Sequence, residues 1–259
     1  MTRTVPVRAA RAAFAAAAVA VLAAGAVGCG ASAEDDEHPD RRTFTLHGDT
    51  LTVDSDDSSL EIVATDSGPA GTVRVTRWFE GSVVMGGKPR VTWSMRNDRL
   101  VLRLHCSGLV ADCAAKHRIE VPRGVAVKVA DGDGGVEARG FRDALSIRTG
   151  DGHIRVTDTS GPLTLRTGDG SVHAEVSSRR ISTRTSDGSV HLDLRTAPDR
   201  VEAVTGDGSV TLVLPPAEYR VSAESGDGGV HVAVPRDGSS PHLVSVRTGD
   251  GSISVRPAN

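Results

Sequence analysis

Aromatic residues are scarce in this chain of 259 residues, where four Phe, two Trp and one Tyr make up 3% of the composition. None of them lies between residues 142 and 218. Because aromatic side chains are bulky, a stretch without them is expected to have a thin, aliphatic interior. The same stretch lacks the Trp and Tyr rings on which sugars usually stack.

Cysteine is also rare, since only Cys29, Cys106 and Cys113 occur. Six residues separate the last two, which fits neither a CxxC redox motif nor a zinc motif that has further ligands. In an oxidising compartment these two are expected to form a disulfide that closes a small loop. No cofactor is predicted.

An excess of basic charge is missing as well, because 30 basic and 33 acidic side chains give a formal charge of −3. Residues 1–28 contain three arginines and no acid, so the chain from Cys29 onward has 27 basic and 33 acidic side chains and a charge of −6. A basic composition typical of nucleic-acid binding is absent, so no nucleic acid is expected as a partner.

The N-terminus has the layout of an export signal. Three arginines precede an uncharged run of sixteen residues from Ala12 to Val27, which is short for a membrane span. The stretch Ala26-Val27-Gly28-Cys29 is similar to the lipobox of bacterial lipoproteins, with Ala where Leu is usual. The resemblance implies a lipoprotein signal peptide over 1–28, a lipid on Cys29, and anchoring on the extracytoplasmic face of the cell membrane.

Residues 29–42 contain five acids and few apolar side chains, so they are expected to form a solvated acidic tether.

From residue 43 to 127, apolar and polar residues alternate in short runs such as Leu60–Val63, Thr72–Trp78 and Leu100–Leu104. This alternation is typical of half-buried strands, and Asn97-Asp98 is a good hairpin turn. Both tryptophans lie in this section. It is therefore predicted to be a β-rich N-terminal section with a thicker core.

From residue 128 to 259, one pattern recurs seven times: Asp-Gly, one further residue, then Val or Ile. Its aspartates are Asp133, Asp151, Asp169, Asp187, Asp207, Asp227 and Asp250, at intervals of 18 to 23 residues. A near-fixed period indicates a repeat architecture in which each unit buries its apolar face on a neighbour. The prediction is an all-β fold, with two-strand rungs joined at glycine-rich corners and stacked about 4.8 Å apart into a β-solenoid.

The repeated Thr-Gly-Asp-Gly-Ser-Val pattern, the cysteine pair before Ile119–Gly124 and the β-only body resemble a bacterial putative-adhesin family of β-strand-repeat domains. The resemblance covers about residues 43–259, and the family is a domain of unknown function. It implies an envelope location and an adhesive or scaffolding role. It supplies no catalytic residues.

The seven aspartates are interpreted as turn residues. Each carboxylate is expected to accept a hydrogen bond from the backbone two residues on, while the adjacent glycines supply positive φ. A calcium-stabilised domain is the alternative, although calcium-binding β-rolls have a nine-residue period and place the Asp differently. Four arginines three residues before an Asp are expected to offset the repulsion between stacked acids: Arg148, Arg166, Arg184 and Arg247.

Two further columns follow from the repeat. Inward hydroxyls are expected to satisfy backbone groups at the corners: Thr149, Thr167, Thr185, Thr205, Thr248 and Ser225. His173 and His191 are expected about 5 Å apart on consecutive rungs, with His231 two rungs further and Thr211 between. The two imidazoles are weak metal candidates, because a protein site normally supplies three or four ligands.

Columns of identical residues differ from the isolated, perturbed groups of a catalytic cleft. The chain is therefore predicted not to be an enzyme. It is expected to act as an adhesive, scaffolding or sensing module whose surface binds envelope proteins or glycans through repeated contacts. A glycan-active enzyme on a β-helix is the alternative. Specificity is expected in two irregular loops, residues 215–220 and 235–241.

Overall fold

The computed structural model describes residues 32–258, and within this range the chain is all-β apart from one 3-10 helix, η1 (Ala33–Asp35). No helix in that range is long and apolar enough to cross a membrane. The all-β prediction is confirmed. The predicted signal peptide and Cys29 lie outside the described residues.

Eight two-strand rungs form the solenoid, and the first strand of each rung joins one sheet (sheet B) while the second joins the other (sheet A). In stacking order the rungs are β2–β3 (Thr50–Ser55, Ser59–Thr65), β8–β9 (Ala126–Ala130, Val136–Arg139), β10–β11 (Leu145–Arg148, Ile154–Thr159), β12–β13 (Leu163–Thr167, Val172–Val176), β14–β15 (Arg180–Thr185, Val190–Leu194), β16–β17 (Arg200–Thr205, Val210–Leu214), β20–β21 (Leu243–Thr248, Ile253–Pro257) and β18–β19 (Arg220–Ser225, Val230–Val232). Neighbouring rungs pair in parallel in both sheets.

The alternation of the sequence sets the two faces of each strand. In β12, Leu163, Leu165 and Thr167 are buried while Arg166 is exposed. Side chains of a strand point alternately to opposite faces, so both sheets turn their aliphatic residues toward each other. The buried residues of all rungs form one continuous core.

The last two rungs are stacked in the reverse of chain order. Strand β20 pairs with β16 on one side, Val201 opposite Val244, and with β18 on the other, where Val221 lies opposite the same valine. The final rung in sequence, β20–β21, is therefore inside the stack, and β18–β19 forms its end.

The N-terminal section inserts five more strands into the same two sheets: β1 (Asp40–Thr45), β4 (Thr72–Gly86), β5 (Arg90–Arg96), β6 (Arg99–His105) and β7 (Gly108–Pro122). β1, β4 and β7 pair antiparallel and join β3 in sheet A, while the β5–β6 hairpin joins β2 in sheet B. The first rung, β2–β3, thus lies within residues 43–127. The predicted section boundary at 127/128 separates two sequence styles but falls within one pair of sheets and one core.

The outer halves of β4 and β7, residues 80–86 and 108–114, project as a two-stranded arm. A disulfide joins Cys106 to Cys113 at this arm, as expected from the sequence. Four large apolar side chains are exposed at its tip, Val84, Met85, Leu109 and Val110.

The acidic segment does not form a free tether from Ser32 onward. The Lys116 ammonium pairs with the Glu34 carboxylate at 2.7 Å, and the Phe79 amide donates to Asp36 Oδ2 at 3.0 Å. The Phe79 and His38 amides hold the pKa of Asp36 below its usual value. The segment lies against β4 and β7 because its acids find donors there, which composition alone does not show.

Candidate functional site

The corners of the rungs are held together by inward threonine hydroxyls. Thr149 Oγ1 donates to the Gly132 and Gly134 carbonyls of the preceding rung, at 2.9 and 3.2 Å. The same contact recurs on every later rung, through Thr167, Thr185, Thr205, Thr248 and Ser225. The column thus has its expected role, since the hydroxyls satisfy backbone carbonyl groups between rungs.

Corner glycines are required by close approach and not by their φ angles. A Cβ on Gly170 would lie 2.0 Å from the carbonyl oxygen of Gly152 on the neighbouring rung. Neither these two nor any other glycine of the repeat corners has a positive φ. The expected left-handed glycines are therefore wrong, because the sequence shows the glycine but not the rung packed against it.

The seven repeat aspartates lie at the corners, as predicted, with exposed carboxylates. None of them accepts a hydrogen bond or forms an ion pair among the described residues. The expected bonds to the backbone two residues on are absent there, because corner amides instead bond across rungs, as Gly206 N does to Ser186 O at 2.7 Å. The aspartates form an open acidic edge.

The arginines that were expected to neutralise this edge do not contact it. The side chains of Arg148, Arg166 and Arg184 are exposed and form no ion pair or hydrogen bond among residues 32–258. Arg247 pairs with Glu224, with Nε 3.1 Å from Oε2. Charge compensation between the two columns is therefore not a property of the fold.

One carboxyl occupies the threonine column. Asp131 stands where the next rung has Thr149, it is 9% exposed, and the Cβ position of Gly134 lies 2.5 Å from its Oδ2. Neither oxygen has a hydrogen bond of good geometry, although the Ser55 hydroxyl and the Gly134 amide lie near enough to favour the charged form. Burial dominates and raises the pKa of Asp131 to about 7. Aligning Asp131-Gly132-Asp133-Gly134 with Thr149-Gly150-Asp151-Gly152 would have shown that Asp131 takes the position of Thr149.

A second buried titratable group lies in the N-terminal section. His117 is fully buried beside Trp93, with ring centroids 6.3 Å apart, and neither ring nitrogen has a partner. Burial, with the nearby Arg77 charge, lowers the pKa of His117 to about 4. The sequence shows only a histidine on an alternating strand, without a signal of this burial.

His173 and His191 stack as expected, with ring centroids 4.9 Å apart and planes 5° from parallel. His173 Nε2 lies 3.0 Å from Glu175 Oε1. Burial and the neighbouring His173 lower the pKa of His191. No cluster of three or more His, Cys, Asp or Glu suited to a metal ion occurs in the described chain. His231 is further away than predicted, because Ser254 of the inserted rung stands between it and Thr211.

The two irregular loops pack on each other. Tyr219 is fully buried, its hydroxyl donates to Pro215 O at 2.7 Å, and Ser240 Oγ donates to Glu218 O at 2.7 Å. These loops lead the chain out to the end rung and back from it. Their departure from the repeat therefore has a structural cause, which the prediction of a specificity site did not consider.

A groove of about 700 Å³ lies on the outer face of sheet A beside η1. Two of its acids are paired, Glu34 with Lys116 at 2.7 Å and Glu61 with Arg118 at 3.2 Å. The carboxyl with a raised pKa, Asp131, points to the interior and not into this groove. A third acid of the groove, Glu137, has no ion pair among residues 32–258.

Comparison with known proteins gives one family and two solved structures. The family model described as Toastrack DUF4097 matches residues 119–256. A crystal structure of a "putative cell adhesion protein" from Clostridium sporogenes is similar over 85% of this chain and 100% of its own, with 13% identity and a TM-score of 0.38. A "putative adhesin" from Parabacteroides merdae is similar over 85% of this chain and 96% of its own, with 10% identity and a TM-score of 0.44. No curated protein matches.

Proposed function

The chain belongs to the Toastrack family, DUF4097, and from that premise we propose that it is a lipid-anchored β-solenoid on the extracytoplasmic face of the membrane. It acts through its surface as an adhesive, scaffolding or envelope-sensing module, and not as an enzyme. Envelope proteins or glycans are its partners.

The observation that carries this proposal is the division of labour in each rung. Inward hydroxyls and backbone amides are consumed by contacts between rungs, while the outward charges stand in rows with few partners. Such rows on a stiff stack favour many weak contacts with an extended partner, whose affinity arises from repetition.

The anchor hypothesis gains a geometric consequence from the structure. Cys29 is three residues before Ser32, where the chain already lies against β4 and β7. Three extended residues span at most about 11 Å. A lipid on Cys29 would hold the body against the membrane surface.

Two measurements test the proposal. Labelling with a palmitate analogue is expected in the wild-type chain and absent in Cys29→Ala, and equal labelling would remove the anchor. Incubating the purified protein with cell-wall and exopolysaccharide fractions is expected to give binding without release of soluble fragments. Turnover of any fraction would show an enzyme.

A further inference from the structure

From β8 to the end rung, the outer face of sheet B carries a concentration of basic side chains. We call the outward residues of β8, β10, β12, β14, β16, β20 and β18 the basic face. Its charged members are Lys128, Arg148, Arg166, Arg180, Arg184, Arg200, Arg220 and Arg247, with Glu202 and Glu224 as the acids. This balance is opposite to the charge of −6 from Cys29 onward.

Three of these arginines form a ladder. Arg148, Arg166 and Arg184 are directly opposite one another on consecutive parallel strands. Neighbouring strands lie about 4.8 Å apart, so three like charges are stacked in register, which by itself destabilises a sheet. Elsewhere on the face, Arg200 pairs with Glu202 at 3.6 Å and Arg247 with Glu224 at 3.1 Å, while the more scattered Lys128, Arg180 and Arg220 have no ion pair among the described residues. The ladder has no such partner among residues 32–258.

Folding does not require arginine at these positions. The same row continues through Val204 and ends at Glu224, so rungs form with an apolar or an acidic residue there. The side chains point to solvent and leave core packing to their inward neighbours. A costly row that the fold does not use indicates a ligand of opposite charge.

The shape of the face suits an extended ligand. A shallow depression of about 340 Å³ runs along the three arginines of the ladder. Beside the ladder, Ser146, Thr164 and Ser182 form an in-register row of hydroxyls. A second depression of about 140 Å³ lies at the opposite ends of the strands, next to Arg180 and Arg200. A ligand that crosses the rungs meets guanidinium groups on both sides and hydroxyls between them.

We propose that the basic face binds a linear anionic polymer of the cell envelope, with phosphate or carboxylate groups on Arg148, Arg166 and Arg184. The planar guanidinium fork suits both oxyanions, and the hydroxyl row supplies donors and acceptors to the polymer's own hydroxyls. This inference rests on the proposed function, because it names the partner class of an envelope module. The acidic edge at the corner repels the same polymer and keeps it on the sheet.

The test uses the full chain purified in detergent, with three immobilised probes: polyglycerol phosphate, polygalacturonate and neutral dextran. The first two distinguish a phosphodiester source from a uronate source. Binding to at least one of them, and not to dextran, is expected to weaken as salt increases. The triple variant R148Q/R166Q/R184Q should bind at least about tenfold more weakly, since three charge-assisted contacts are lost. V204R, which extends the ladder by one rung, should bind more tightly.

The control is R139Q/R155Q, which removes two exposed arginines from the outer face of sheet A. It should bind as the wild-type chain does, and the melting temperature of every variant should lie within a few degrees of the wild-type value. An unchanged triple variant, an equal loss in the control, or tighter binding to duplex DNA than to either polymer would overturn the inference. If the chain retains its Cys29 label but binds neither polymer, this inference alone is contradicted. If the chain binds a polymer without carrying the label, only the anchor hypothesis is contradicted.

Discussion

The inserted section from β4 to β7 and the rung array from β8 to β21 share two sheets but are stabilised differently. In the inserted section, antiparallel pairing, a disulfide and the contact of the Trp93 ring with Phe44 of β1 hold the strands. In the array, the backbone of one rung contacts the backbone of the next at the corners, and glycine occurs at these contacts. Composition therefore follows the local packing distance, since rings need space and stacked corners have none.

The largest expected effect comes from filling a corner. Gly170→Ala places a Cβ 2.0 Å from the Gly152 carbonyl oxygen, and no side-chain movement can relieve a backbone contact. We expect a loss of about 3 kcal/mol or more in the free energy of unfolding. Chemical denaturation measures it. Gly135→Ala is the control, because its nearest neighbour would be 3.8 Å away, and it should change stability by less than about 0.5 kcal/mol. Similar losses in both variants would show that the close approach at Gly170 is not what makes glycine necessary there.

A smaller effect is expected at Asp131, where the array breaks its own rule. Its folded pKa of about 7 lies above the unfolded value of 3.8, so the folded state keeps a proton that the unfolded state loses. Stability is therefore retained below pH 4 and lost as the pH rises toward 7. Asp131→Thr restores the column and should stabilise by about 2 to 3 kcal/mol at pH 8 and much less at pH 4.

Denaturation of both proteins at the two pH values checks this. Asp169→Thr, which removes an exposed corner carboxylate instead of a buried one, is the control for the substitution itself. An equal gain for Asp131→Thr at pH 4 and pH 8 would assign the effect to packing instead of ionisation. The inserted section has the opposite dependence, because the lowered pKa of His117, about 4, costs stability as the pH falls below 6.5.

The disulfide should act on the arm and leave the array unaffected. Its cysteines are seven residues apart, and loop entropy assigns such a closure about 2 kcal/mol. Cys106→Ser/Cys113→Ser is expected to lower the free energy of local opening in residues 80–86 and 108–114 by this amount, and so to accelerate hydrogen exchange there. Exchange in β12 and β13 should be unchanged. Faster exchange throughout both regions would show that the arm and the array unfold as one unit.

Periodicity was enough to predict an all-β stack, the two-strand rung and the inward hydroxyl column, because each repeat carries the same apolar and polar positions. Three features were out of reach for a physical reason. The corner φ angles, the ionisation of Asp131 and the packing of Ser32 to Arg42 all depend on the neighbour in space, which the repeat unit does not encode. The arginine ladder was visible as a spacing, but only the structure shows that it has no partner within residues 32–258.

Chain order and stacking order differ at the end of the array, and a matched pair of substitutions tests this. Val221 and Val244 occupy the same inward position on adjacent strands, yet Val244 is 1% exposed and Val221 is only half-buried, because β18 is the outermost strand. Val244→Ala should cost about 2 kcal/mol in the free energy of unfolding, and Val221→Ala about 1 kcal/mol less. If the rungs stacked in chain order, β18 would lie between β16 and β20 and the two costs would be reversed. Equilibrium denaturation of the two variants therefore decides which rung is last, and amide exchange should agree, with β18 and β19 exchanging before β20 and β21.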